Sequence, residues 1–167
     1  MAMMLISALC CGAACTTTPA ERQAQQVEED TYRLALQRLV QSHIYPMSCE
    51  ALLPLAMDML WESPYEEAEY TGDRLGLVTP WREHDERRRS RLNVHAHRAG
   101  NDRCAVQFIT VDEVGPHEEQ RRDVNRELQF LERVDEEAAN RVRLRARREA
   151  RQAYHQTLER LQQEEPQ

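Results

Sequence analysis

Three histidines carry the most specific chemistry in the sequence. His95-Ala96-His97 puts two imidazoles two positions apart, on one face of an extended strand, and His84 lies upstream between Glu83 and Asp85. Zinc and copper take imidazole nitrogens, and a His-x-His pair on a strand is a workable metal geometry. Spacing points to no third ligand. Arg91 and Asn93 share the face with the pair, so it reads as the wet face of a sheet. The expectation is no metal, with His84, His95 and His97 as the weak candidates. Other catalytic constellations lack their residues. No Gly-x-Ser-x-Gly or Ser-x-x-Lys pattern occurs. Lysine is absent, so all 22 basic residues are arginine, which excludes every lysine mechanism and reads as coding bias. The five glycines do not cluster into a phosphate cradle, and Glu66-Glu67 reads as a solvated loop. The chain is expected not to be an enzyme and to need no cofactor.

The arginines form two runs. Arg87, Arg88, Arg89 and Arg91 crowd one segment. Arg141, Arg143, Arg145, Arg147, Arg148 and Arg151 crowd another, with Glu149 the only acid among them. The second run suits docking on the phosphates of an anionic glycolipid or on an acidic partner, with Arg141, Arg145 and Arg148 as the expected partner-binding residues. The competing reading is a solvated helix whose arginines pair with acids elsewhere. The net charge of −7 favours that pairing and excludes a nucleic-acid binder with an overall basic footprint.

These residues need elements to hold them. A length of 167 residues, 31% charged and only 5% aromatic, suits one small domain with appendages. No apolar stretch reaches 18 residues and no repeat of 20–50 residues is visible. Residues 19–44 read as a polar helix opened by Pro19, serving as a stalk or packing on the C-terminal helix. Ser48 caps a second, apolar helix over about 49–62. Residues 65–73 read as an acidic turn. The period then becomes two around 75–81, 91–97 and 104–109, which predicts three half-buried strands, with 83–90 a charged loop and 98–103 a hairpin loop. Pro80 argues for an edge or a bulge in the first strand. Gly115-Pro116 ends the sheet. From His117 onward the chain reads as helix, broken near Val134-Asp135. The fold class is therefore α+β: a small helix plus a three-stranded antiparallel meander over 45–115, an N-terminal helix within 15–44, and a long C-terminal arm over 116–167.

Residues 3–14 are apolar, uncharged and end in Ala13-Ala14, followed by Cys15 and Thr16-Thr17-Thr18-Pro19. This run resembles the signal and lipobox of bacterial lipoproteins. The resemblance implies a signal over 1–14, cleavage before Cys15 and acylation of its thiol. Thr16 at the second mature position then implies the outer membrane, and several acyl chains give a stable anchor. Cys10 and Cys11 leave with the signal. Cys49 and Cys104 remain as an even pair, expected to form a disulfide in an oxidising compartment. Two buried thiols, or a Cys–His dyad, are the alternatives. Residues 47–114, with Leu75-x-Leu77-x-Thr79-x-Trp81 on the first strand, resemble the small BamC-like domains of envelope lipoproteins. No functional residue carries over from that likeness. The expected protein is a non-catalytic envelope lipoprotein, lipid-anchored on the periplasmic face of the outer membrane. It would bind or scaffold an envelope partner. A periplasmic metal-binding protein or enzyme using His84, His95 and His97, and a cytosolic helical adaptor, are the rivals.

Overall fold

A computed structural model describes residues 17–62 and 67–164. The elements run α1 (Pro19–Gln41), α2 (Cys49–Trp61), β1 (Glu69–Tyr70), β2 (Gly76–Val78), β3 (Arg82–Asp85), β4 (Arg88–Arg98), β5 (Cys104–Val114), β6 (His117–Arg122), α3 (Val124–Val134) and α4 (Glu136–Glu164). The class is α+β, with an N-terminal helix, a long C-terminal helix and an antiparallel sheet of six strands.

Local chemistry sets the helix ends. Thr18 and Glu21 form a capping box at α1, Thr18 Oγ1 accepting from Glu21 N–H at 3.1 Å while the Glu21 carboxylate takes Thr18 N–H at 2.7 Å. Ser48 caps α2 by accepting from Ala51 N–H. The break expected near Val134-Asp135 separates α3 from α4, and Asp135 Oδ1 accepts from Ala138 N–H at 2.8 Å to start the new helix.

The sheet order is β1-β2-β4-β5-β6, and β3 also pairs with β4. The expected meander is its centre, β2, β4 and β5. Three further strands extend it. Glu69-Tyr70, expected as a turn, pairs with β2. Residues 83–90, expected as a charged loop, form the β3–β4 hairpin instead. His117–Arg122, expected as helix, is the edge strand β6, and the helix starts only at Val124, where Asp123 caps it. Gly115, at φ 59°, turns β5 into β6 rather than ending the sheet. β2 and β3 lie on the same edge of β4 and are interrupted at Thr79-Pro80-Trp81, as the missing Pro80 N–H requires. Thr79 bridges the gap: its N–H donates to Leu92 O at 3.0 Å and its Oγ1 accepts from Leu92 N–H at 2.9 Å.

Helices α2 and α3 pack on one face of this sheet. Leu52, Leu53 and Leu60 of α2 and Phe130 and Leu131 of α3 meet Leu77, Leu92, Val94 and Phe108 there, with the Phe108 and Phe130 rings 5.4 Å apart. Among the described residues no helix covers the opposite face. α1 lies along α4 as an antiparallel pair, which is the second of the two placements expected for it. At 1.5 Å per residue the two helices are about 34 and 43 Å long. Val40, Ala138 and Ala139 join the main core, and beyond it the buried residues of the pair are small: Ala24 and Ala35 on α1, and Ala146, Ala150 and Thr157 on α4. An Arg38–Glu149 ion pair at 2.6 Å crosses between them.

Candidate functional site

The three histidines do not converge. Alternation along β4 sends His95 and His97 to the uncovered face, where their rings stack with centroids 6.4 Å apart. His84 turns to the other side, its Nε2 2.7 Å from Ser90 Oγ. No group of three metal-binding side chains assembles among the described residues. The His84–Ser90 contact joins an imidazole to a hydroxyl, but Ser90 is 3% exposed and no carboxylate bonds the other ring nitrogen among the described residues. It fastens β3 to β4.

The Cys49 and Cys104 sulfurs stand 2.09 Å apart, at bonding distance, with Cα atoms 5.2 Å apart. Both residues open their elements, α2 and β5. The chain just before α2 is tied to the same place, because Tyr45 and Cys104 exchange two backbone hydrogen bonds of 2.8 and 3.1 Å. Disulfide and bridge together pin residues 45–49 to the start of β5. Cys49 and Cys104 are 1% and 0% exposed, so no dyad with a histidine is open to a substrate.

The uncovered sheet face carries an arrangement that sequence reasoning missed. Arg89 and Arg91, two apart on β4, each hold a guanidinium 4.6 Å from the Trp81 ring centroid. Such cation–π contacts fix all three side chains. Arg89 also bonds Glu113 on β5 at 2.8 Å. Arg89 Nε, Arg91 Nε and Asn93 Oδ1 are buried without a protein partner. The only signal for this cluster was the alternation of polar residues along 89–97, and Trp81 was legible as a strand end alone.

The expected partner-binding arginines lie on the outer side of α4, away from its buried alanines. Arg141 pairs with Glu137 at 2.6 Å and Arg145 with Glu149 at 3.3 Å, both at i,i+4 spacing. Arg148 makes no ion pair among the described residues, and neither do Arg147 and Arg151. Arg143 turns toward the body and pairs with Glu132. In the other run, Arg89 pairs with Glu113, and Arg88 and Arg121 lie 4.0 and 3.2 Å from Asp112.

Two polar side chains sit at the seams of the frame, one buried and one half-buried. Glu127, 3% exposed, takes Arg122 in a bidentate pair at 2.9 Å through each oxygen, and its Oε1 also accepts from Phe108 N–H at 3.2 Å. Burial pushes its carboxyl above the ordinary range, against the pull of Arg122. His43, where α1 meets the body, stacks edge-on against Tyr45 at 4.6 Å, and its buried Nε2 has no protein partner. Burial lowers its imidazole pKa; Asp135 opposes that shift and Arg141 adds to it.

Cys15, the expected acylation site, lies outside the described residues, as do Cys10 and Cys11. No protein-family model matches the chain, and neither a curated protein nor a solved structure shows significant similarity to it. No described helix is long and apolar enough to cross a membrane.

Proposed function

We propose that this chain is a non-catalytic lipoprotein of the bacterial outer membrane, anchored through acylated Cys15 on the periplasmic face, with a binding or scaffolding role toward an envelope partner. The observation that carries the reading is the Cys49–Cys104 pair at bonding distance. Disulfides persist in oxidising compartments, and this one is independent of the N-terminal run that resembles a lipoprotein signal. The architecture supports it further. α1 starts at Pro19, four residues after Cys15, so a lipid on that residue would tie the open end of the α1/α4 pair to the membrane. The apolar stripe of α4 is occupied by α1, which leaves its arginine face and the uncovered sheet face for binding. Anionic glycolipid or an acidic envelope protein suits the first of these.

Metabolic labelling with an alkyne fatty acid tests the anchor. The wild-type chain should take up label that base-stable linkage analysis assigns to its N-terminus, and the Cys15→Ser variant should take up none. Equal labelling of both, or of neither, contradicts the reading.

A further inference from the structure

The outward face of α4 separates charge in a way the net balance of the chain conceals. Arg141, Arg145, Arg148, Arg151 and His155 follow one another at spacings of three and four, with Leu144 three residues after Arg141 and four before Arg148, so they form one row along the helix. The row is about 21 Å long at 1.5 Å per residue. It lies opposite Ala139, Ala146, Ala150 and Thr157, which face α1. Every member of the row is exposed, and Leu144 is 61% exposed in its midst. Glu149, the only acid between Arg141 and Arg151, is shared between Arg38 of α1 and Arg145 of the row, and Arg141 is paired with Glu137, so the uncompensated charge lies toward Arg148 and Arg151. Arg147, at the flank, and Arg148 and Arg151 have no ion pair among the described residues. A chain of net charge −7 thus carries a cationic ridge.

We propose that this ridge lies on an anionic phospholipid surface, so that the α1/α4 arm rests along the leaflet instead of standing up from it. Three features favour lipid over an acidic protein. The row is straight and convex, with one apolar side chain, whereas a protein partner needs a central apolar anchor in a fitted pocket. A fluid array of phosphates needs only spaced cations and tolerates any register. Leu144, exposed among the arginines, is the one large apolar side chain of the row and is placed to enter the headgroup boundary once the arginines reach the phosphates. The ridge is also on the element paired with α1, whose start adjoins Cys15. That last point rests on the lipoprotein reading; the recognition of headgroups does not.

The test uses residues 15–167 with Cys15→Ser, which retain every described residue and carry no acyl chain. Cosedimentation is measured with vesicles of pure phosphatidylcholine and with vesicles containing roughly one-third phosphatidylglycerol. Binding is expected only to the second, and it should fall as salt is raised. Replacing Arg147, Arg148 and Arg151 together by Gln should lower the partition coefficient on the order of 100-fold, from about a fivefold effect per arginine. Replacing Arg82, Arg87 and Arg103 by Gln changes net charge equally but lies on the sheet and its loops, so that variant should bind as the parent does. Matching circular dichroism melts establish that all three chains are folded. Equal binding to both vesicle types, no binding to either, or equal loss in the two triple variants overturns the proposal. In the second of these cases the ridge is left to an acidic protein. Fatty-acid labelling is read separately, so a ridge that binds vesicles in a chain that takes no lipid would refute the anchor and spare the ridge.

Discussion

Removing the Cys49–Cys104 link should cost far more than a typical core substitution. The two residues are 55 apart in sequence. Closing a loop of that length restricts the unfolded chain by about 4 kcal/mol in the chain-entropy treatment. For a chain of this size each kcal/mol moves the melting temperature by about 2–4 °C, so the link corresponds to roughly 8–16 °C. Both sulfurs are buried, so a reductant reaches them only when the chain opens. Native protein should therefore resist brief exposure to a phosphine reductant at low temperature, yet melt lower when the reductant is present throughout heating. The Cys49→Ala/Cys104→Ala variant should melt at or below the temperature of the reduced wild type and be indifferent to reductant. A thiol titration under denaturing conditions should find neither cysteine free in the wild type. Two free thiols, or a wild-type melt that ignores the reductant, would refute the reasoning.

Three other perturbations follow from single contacts. Gly76→Ala would bring a Cβ to 2.6 Å from the Val94 carbonyl oxygen, a backbone atom that cannot step aside, and should cost about 1–3 kcal/mol in urea unfolding. Gly72→Ala, with nothing within 4 Å, should stay within about 0.5 kcal/mol of wild type, and equal effects of the two would disprove the clash. Glu127→Ala strips the half-buried Arg122 of its carboxylate and leaves Phe108 N–H unpaired, for an expected loss of about 3 kcal/mol; a loss below about 1 kcal/mol would mean that this pair does not hold α3 to the sheet. His43 has its pKa lowered by burial, so below its ordinary value of 6.5 the unfolded chain binds a proton that the folded chain resists. Its contribution to stability is present above that pH and is lost as pH falls through it. The stability gap between wild type and His43→Gln should therefore change across pH 7 to 5, as followed by denaturant titration, and a constant gap would remove His43 as the cause.

The elements with strong periodicity were legible in the sequence. α2 has an apolar face and a Ser48 cap, and the strands β4 and β5 alternate because one face is buried. The Asp135 break announced itself by acids placed to start a helix. β3 and β6 were not legible, and the reason is physical. Arg82–Asp85 and His117–Arg122 lie at sheet edges with nearly every residue exposed, so neither side needs apolar residues and no period of two arises. The pairing of α1 with α4 was equally faint. Its contacts run through Ala24, Ala35, Ala146 and Ala150, whose small side chains pack closely but contribute little to a hydropathy pattern. Pairing of Cys49 with Cys104 followed from cysteine arithmetic once an export signal was assumed. The Trp81 bracket was out of reach, because it requires β3 and β4 to be hydrogen-bonded neighbours and only the fold supplies that.

The most direct test of the central claim is the intact mass of the protein extracted from its native membrane, taken with and without reductant. A lipid-anchored, disulfide-closed chain should have lost residues 1–14, carry the mass of its acyl groups on Cys15, and gain about 2 Da on reduction, two hydrogens for one disulfide. An unmodified chain that begins at Met1, sits in the soluble fraction and keeps the same mass on reduction would contradict both the anchor and the oxidised pair.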